Sequence, residues 1–208
     1  TVNNGTLQNT PTAAAGKVDG GMGLNGTTQY SRVTDSPSIE GFTSATFSAW
    51  VNTTSLAVKN SLFQKTVTDG ATPTDPYQLY GFNINTTGTL EFQLSTGTPG
   101  SRVTLTSAAT VSTSTWTYLT ATWNGTTMRT YKDGVVDANT NTFSSTVGTN
   151  AIDLRLGALN SQGLFEGVAG TLDEMRLSNT ARSADWVEAE YLFTNDSTKY
   201  TYGAEEAR

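Results

Sequence analysis

The feature that most constrains this chain is an apolar residue at every second position, repeated in one short segment after another. The pattern recurs at residues 47–51, 80–84, 90–94 and 152–156. Successive side chains of a β-strand point to opposite faces, so this spacing predicts half-buried strands rather than helices. The dipeptide Asn124-Gly125 is typical of a tight hairpin turn between two such strands. The sequence therefore predicts an all-β chain with about a dozen strands in two packed antiparallel sheets.

The stretch from Gly167 to Tyr191 changes period part-way along and predicts a strand followed by a short C-terminal helix. Its first half alternates, which predicts that Asp173, Met175 and Leu177 share one face. A carboxylate at the start of an apolar face costs several kcal/mol if unpaired. We therefore expect backbone N–H groups, an arginine or a metal ion to hold Asp173.

The helix is predicted from Ser183, which can act as its N-terminal cap. Trp186, Ala189 and Tyr191 then fall roughly on one side of this helix. Residues 192–208 follow and are interpreted as a final strand or an exit linker.

The run Gly170-Thr-Leu-Asp-Glu-Met-Arg-Leu-Ser-Asn-Thr-Ala-Arg-Ser-Ala-Asp-Trp186 resembles the closing signature of LamG-like jelly-roll domains of bacteria and archaea. These are relatives of laminin G, the pentraxins and the concanavalin A-like lectins. Residues 15–30, 46–51 and 116–134 are similar to the family's opening strand pair, first core strand and central hairpin. The resemblance implies a two-sheet jelly-roll sandwich and, together with a composition poor in Lys and rich in Thr, Asn and Gly, favours an extracellular or cell-surface location.

The resemblance also implies a calcium ion between the opening turn and the closing strand. Carried onto this chain, it nominates Asp173 as a ligand, with Asn3 and Asn4 or nearby carbonyl groups as partners. The alternative is that Asp173 only accepts backbone hydrogen bonds. Both interpretations stay open at this point.

The chain of 208 residues is long enough for one substantial core, so a single domain is predicted, preceded by a polar segment at residues 1–15. LamG-like domains usually begin with a further strand before a turn rich in Gly and Asn, and Val2–Gly5 resembles the end of that turn. An absent strand would leave an open sheet edge, and such an edge invites pairing with another chain.

Composition excludes several classes of function. There is no His and no Cys, so neither a Ser-His-Asp triad nor a typical zinc site can form. The motif Glu-x-Asp-x-x-Glu of related glucanases is absent, and an enzyme would need the fold to unite carboxylates such as Glu91, Asp153 and Glu174. A net charge of -6 argues against nucleic acid, and no apolar run is long enough for membrane insertion.

Four residues are predicted to bind a ligand because they lie in or beside the longest irregular stretch, residues 68–76. Asp69 and Asp75 belong to this loop, and Tyr77 and Tyr80 follow it. Exposed aromatic rings can stack on sugar rings, and loops on rigid scaffolds often carry binding groups. Trp50 and Trp116 are further candidates for stacking on a sugar. The alternatives are that the acids are solvated and that the aromatic rings belong to the core.

We therefore expect a noncatalytic extracellular binding or adhesion module, with carbohydrate or a cell-surface protein as its partner and calcium as its cofactor. The alternative is a structural subunit that self-associates into a surface polymer by strand exchange at an open edge.

Overall fold

The computed structural model describes residues 3–67, 75–161 and 164–196, and these residues form sixteen strands and one α-helix. The strands in chain order are β1 (Gly5–Gln8), β2 (Thr12–Ala15), β3 (Gly20–Asn25), β4 (Tyr30–Val33), β5 (Ala45–Thr53), β6 (Asn60–Thr66), β7 (Gln78–Ile84), β8 (Thr89–Leu94), β9 (Val103–Thr110), β10 (Thr117–Trp123), β11 (Thr127–Lys132), β12 (Val135–Thr142), β13 (Leu154–Leu156), β14 (Ala158–Ser161), β15 (Leu164–Gly167) and β16 (Ala169–Ser178). The helix α1 spans Ala184–Asn195, and a single 3-10 turn occupies Pro37–Ile39.

Two antiparallel sheets of seven strands form the sandwich, which confirms the predicted fold class. The first sheet has the order β1-β4-β13-β6-β7-β8-β9 and the second has the order β12-β11-β10-β5-β16-β3-β2. The strands β14 and β15 form a separate hairpin. In the described part of the chain, no helix is long and apolar enough to cross a membrane.

The core between the sheets is rich in aromatic rings. Phe47 on β5 lies 5.6 Å from Phe63 on β6, 5.4 Å from Phe92 on β8 and 5.2 Å from Tyr80 on β7, measured between ring centroids. Burying one such side chain contributes about 1.5–3 kcal/mol, and tilted aromatic pairs add roughly 0.5–1.5 kcal/mol. These contacts join the two sheets across the sandwich.

Tyr80 belongs to this core, which corrects its prediction as a ligand-binding residue. Its side chain is fully buried, and its hydroxyl donates to the carbonyl oxygen of Ile39 at 2.8 Å. The alternation that places Phe82 and Ile84 between the sheets carries Tyr80 to the same face. Burial raises the pKa of Tyr80 well above its usual value, and the charges of Glu40 and Asp35 raise it further.

The helix α1 packs on the outer face of the second sheet. Val187 of the helix packs on Trp50 and Tyr118 of the sheet. The indole N–H of Trp50 also donates a hydrogen bond to Thr194 Oγ1 at 2.8 Å. Trp116 packs against the same cluster, so neither tryptophan candidate is a free surface platform. The cap at Ser183 is confirmed, because its side chain accepts the backbone N–H of Trp186.

The residues predicted to lie on one side of α1 differ in burial. Tyr191 packs against the cluster that contains Trp50 and Tyr118, whereas Trp186 is 39% exposed. The buried residues of the helix are Val187 and Glu190. Residues 192–195 continue the helix rather than forming a strand or linker.

A β-bulge in β16 also overturns the predicted face of Asp173. Leu172 pairs with Val51 and faces the core, so Asp173, which pairs with Trp50, faces α1. The register then shifts at Glu174, whose φ of 50° is left-handed, and Leu177 returns to the core opposite Phe47. A bulge inserts one residue and exchanges the two faces of a strand. Asp173 therefore does not share a face with Met175 and Leu177.

The polar N-terminal segment contributes two edge strands. Its strands β1 and β2 form the outermost members of the two sheets on one side of the sandwich. On the opposite side, β12 and β9 are bridged by side chains: Asn139 and Asn141 donate their amide groups to the carbonyl oxygens of Thr106 and Thr104 at 3.0 and 2.8 Å.

Candidate functional site

Asp173 on β16 is hydrogen-bonded to the turn between β2 and β3. Its Oδ2 accepts the backbone N–H groups of Lys17 and Val18, both at 2.8 Å, and its Oδ1 accepts that of Glu174 at 2.7 Å. Backbone hydrogen bonds thus satisfy the buried carboxylate, as one of the two open interpretations expected. Calcium at this position stays a prediction.

The nominated partners of Asp173 lie at the entry to β1, in the other sheet. Asn3 Oδ1 accepts the hydroxyl groups of Ser36 and Ser38, both at 3.0 Å, and Asn4 is exposed. Among the described residues, no three carboxylates come together as a metal-binding group.

The loop candidates meet at the end of the first sheet where β7 begins. The carboxylate of Asp75 accepts the backbone N–H of Gly100. Tyr77 is 39% exposed, and the Arg102 guanidinium lies 4.6 Å from the centroid of its ring. Asp69 lies outside the described residues. The structure therefore brings Tyr77 and Asp75 near one rim, apart from the buried Tyr80.

A set of polar side chains, here called the polar face, covers the outside of the first sheet. Register places Gly81 between Gln64 and Gln93, and Asn83 beside Glu91. Glu91 Oε1 accepts Gln93 Nε2 at 2.8 Å and Lys59 Nζ at 2.9 Å, and Gln64 donates to Asn83. In the sequence, this face is indicated by the polar residues that alternate with apolar ones in segments 80–84 and 90–94. Only the strand order of the sheet shows that these polar residues lie next to one another.

The fold does not bring Glu91, Asp153 and Glu174 together. Glu91 lies on the first sheet, whereas Glu174 lies on the second and pairs with Arg176. Asp153 forms its own ion pair with Arg32 at 3.0 Å. Burial raises the pKa of Glu166 near this face, although Lys59 opposes the shift. Each of the three carboxylates has its own cation, which is the arrangement of separate structural ion pairs.

A groove between α1 and the second sheet combines an exposed aromatic ring with polar groups. We call it the helix groove; it has a volume of about 460 Å³, and its lining includes Ser48, Arg176, Asn179, Arg182, Trp186 and Glu190. A second cavity of about 310 Å³ continues along α1, with Trp186, Ala189 and Phe193 in its lining. Trp186 lines both cavities. Pockets of this size are large enough for a small ligand.

Arg176 and Glu190 of the helix groove are held in place by other protein groups. Arg176 contacts both Glu174 and Glu190, and Glu190 Oε2 also accepts the hydroxyl of Tyr118 at 2.5 Å. Burial tends to lower the pKa of Arg176, but the hydrogen bonds and charges of Glu190 and Glu174 outweigh it and raise the pKa. Arg176 therefore keeps its charge and a fixed position.

Arg182 differs from Arg176. Its guanidinium carbon lies 4.4 Å from the centroid of the Trp186 ring, and its backbone N–H donates to Thr46 Oγ1 at 2.9 Å. Its Nε atom is buried and has no hydrogen-bond partner within the described ranges. The sequence analysis missed this residue, because a single Arg before a helix cap carries no motif.

A family model described as the concanavalin A-like lectin/glucanases superfamily matches residues 25–188, a range that includes the strands from β4 to β16 and most of the helix groove lining. This chain belongs to that superfamily. The resemblance seen in the sequence is thereby confirmed. A comparison with curated proteins finds no match.

Solved structures of low sequence identity share the fold of this superfamily member. The binding domain of Paraclostridial Mosquitocidal Protein 1 superposes with a TM-score of 0.69 at 14% identity over 91% of this chain and 47% of the other. This chain thus spans about half of that toxin domain. Domain 4 of AbnA, an extracellular arabinanase from Geobacillus stearothermophilus solved with arabinotriose, gives 0.61 at 18% identity over 89% and 86% of the two chains. A heptameric SAP-like pentraxin from Limulus polyphemus gives 0.52 at 15% identity over 72% and 70%.

Proposed function

We propose that this chain is a noncatalytic, extracellular or cell-surface module that binds carbohydrate in the helix groove. The observation that carries the proposal is the position of Trp186, whose ring is 39% exposed on the wall of a groove of about 460 Å³. A sugar ring has an apolar face of C–H groups and an edge of hydroxyl groups. An indole ring can cover the first, and charged or amide side chains can bind the second.

The polar lining suits hydroxyl groups because it contains both donors and acceptors. Arg176 supplies N–H donors, Glu190 supplies carboxylate oxygens, and the Asn179 amide supplies both. Arg176 and Glu190 are already held by each other and by Tyr118. Side chains that are fixed before binding lose little conformational entropy when a ligand arrives.

The comparisons support a carbohydrate ligand without naming the sugar. The family is one of lectins and glucanases, and the AbnA domain, which this chain covers over 86% of its length, was solved with arabinotriose. A module of similar size and fold can therefore hold an oligosaccharide.

A binding experiment with two matched variants tests the proposal. Wild type, Trp186→Ala and Tyr77→Ala are titrated with neutral arabino-, xylo- and gluco-oligosaccharides and with trigalacturonate, and the fold of each variant is checked by circular dichroism. Trp186 and Tyr77 are equally exposed, at 39%, but Trp186 lies on α1 beside the second sheet and Tyr77 lies just before β7 of the first sheet. We expect Trp186→Ala to weaken binding about tenfold or more and Tyr77→Ala to leave it unchanged.

The reverse result would move the site to the loop rim beside Asp75. If the wild type retains none of these sugars, with calcium or without it, the proposed function is wrong.

Self-association at the open side of the sandwich is a second proposal. The strands β1 and β2 are four residues each, and Leu7 on β1 is 56% exposed. Exposed edge strands can pair with another chain. We expect Leu7→Lys to reduce any concentration-dependent growth in mass by light scattering, and a wild type that stays monomeric at all concentrations would contradict the idea.

A further inference from the structure

The cations of the helix groove are not equivalent. Arg176 has two carboxylate partners, Glu174 and Glu190. Arg182 has no ion pair with any carboxylate in the described part of the chain. Its Nε atom is also buried without a hydrogen-bond partner among those residues. An anion that enters the groove can therefore accept guanidinium N–H groups that no described protein group uses.

Arg182 also lies where two cavities meet. It lines the helix groove and an adjoining cavity of about 340 Å³, whose lining includes Asn124, Arg129 and Tyr131. Its backbone is tied to Thr46, and its guanidinium carbon lies 4.4 Å from the Trp186 ring centroid. The charge therefore lies over one face of the Trp186 ring, at the wall of the groove where a sugar would bind.

We propose that the helix groove selects saccharides that carry a carboxylate, with Arg182 binding the carboxylate and Trp186 packing against the sugar ring. This inference rests on the proposed function and names the ligand class of the same site. A planar guanidinium can form two parallel hydrogen bonds with a carboxylate, which a hydroxyl group cannot match.

The overall charge of the chain does not favour binding of an acidic sugar. At a net charge of -6, the protein as a whole repels anions. Preference for an acidic sugar therefore has to come from a specific cation in the groove rather than from general attraction. Arg129 is an alternative cation for the carboxylate, because it lines the adjoining cavity.

The test compares trigalacturonate with the same trisaccharide after reduction of its carboxyl groups to alcohols. Both are titrated by calorimetry into wild type, Arg182→Gln, Arg182→Lys, Arg129→Gln and Trp186→Ala. We expect the wild type to bind the acidic sugar about tenfold more tightly than the reduced one. Arg182→Gln should weaken binding of the acidic sugar more than that of the reduced sugar and so remove this preference, and Arg182→Lys should keep part of it.

The variants give distinct signatures. Trp186→Ala should weaken both sugars alike, because stacking does not depend on the carboxylate. Equal binding of the two sugars by the wild type, or loss of the preference in Arg129→Gln instead of Arg182→Gln, would overturn the inference while the proposed function stands. Failure of both sugars, and of the neutral oligosaccharides, to bind would overturn the proposed function itself. Melting temperatures identify any variant that fails to fold, and Arg182→Lys then carries the comparison.

Discussion

The carboxylate of Asp137 on β12 accepts the backbone N–H of Ala109 on β9 at 2.7 Å and so joins the edges of the two sheets. It also accepts the N–H groups of Ala108 and Asn139, both at 2.9 Å. Burial is the largest influence on this carboxyl and raises its pKa, but the three backbone hydrogen bonds together outweigh it. The pKa of Asp137 therefore lies below its usual value.

We expect Asp137→Asn to lower the free energy of unfolding by about 1–3 kcal/mol near neutral pH, because charge-assisted hydrogen bonds are lost. A carboxyl with a lowered folded-state pKa stabilises fully above its unfolded pKa of about 3.9, and the effect disappears as the pH falls through the folded pKa. Urea unfolding at several pH values measures this. The variant should approach wild type in acid, and Glu188→Gln, at an exposed carboxylate, should change little. A constant difference at every pH would contradict the assignment.

Lys65 is a fully buried cation and predicts a second, larger effect. Its Nζ lies 2.5 Å from Asp35 Oδ1, 3.4 Å from Glu40 Oε2 and 2.6 Å from the carbonyl oxygen of Ile152. Removing the cation leaves two partly buried carboxylates unpaired. We expect Lys65→Ala to cost about 3–5 kcal/mol in urea unfolding. Lys132→Ala is the control, and an equal loss in both variants would show that the ion pairs add nothing.

Asp173 allows the calcium prediction to be tested against its structural role. Asp173→Ala removes the acceptor for Lys17 and Val18, and we expect a loss of about 1–3 kcal/mol whether or not calcium is present. If calcium supports this site, EDTA should lower the melting temperature of wild type but not of Asp173→Ala. Asn3→Ala and Asn4→Ala then decide whether these two residues are ligands. Identical wild-type melting curves in calcium and EDTA would remove calcium from the proposal.

The sheets and the helix were predictable because each depends on local periodicity and capping. The alternation at residues 80–84 placed strands correctly, and Ser183 marked the start of α1. The bulge at Glu174 was not predictable in this way. Left-handed φ is uncommon for Glu, so the sequence carries no marker, yet one such residue moved Asp173 from the core face to the helix face.

The candidate site could not be predicted from the sequence in the same way, because it depends on how α1 is oriented on the second sheet. The orientation of α1 is fixed by the packing of Val187 with Trp50 and Tyr118 and by hydrogen bonds of Glu190 and Thr194 with these two rings. In this orientation Trp186 is exposed. The cavity, and the absence of a carboxylate partner for Arg182 among the described residues, follow from that packing rather than from any motif.

The hydrogen bond from Tyr118 to Glu190 Oε2, at 2.5 Å, predicts how stability changes in alkali. Burial, followed by this hydrogen bond, raises the pKa of Tyr118. A group whose folded pKa is raised contributes fully below its unfolded pKa, about 10 for tyrosine, and the contribution is lost as the pH rises towards the folded value. Urea unfolding of wild type and Tyr118→Phe on either side of about pH 10 measures this. We expect the variant to lose about 1–3 kcal/mol below that pH and to converge with wild type above it, whereas Tyr77→Phe, at an exposed ring, should stay close to wild type throughout.

Since Glu190 keeps its contact with Arg176 in the Tyr118→Phe variant, sugar affinity should fall less in Tyr118→Phe than in Trp186→Ala. A larger fall would mean that the orientation of Glu190, rather than stacking on Trp186, dominates binding in the helix groove.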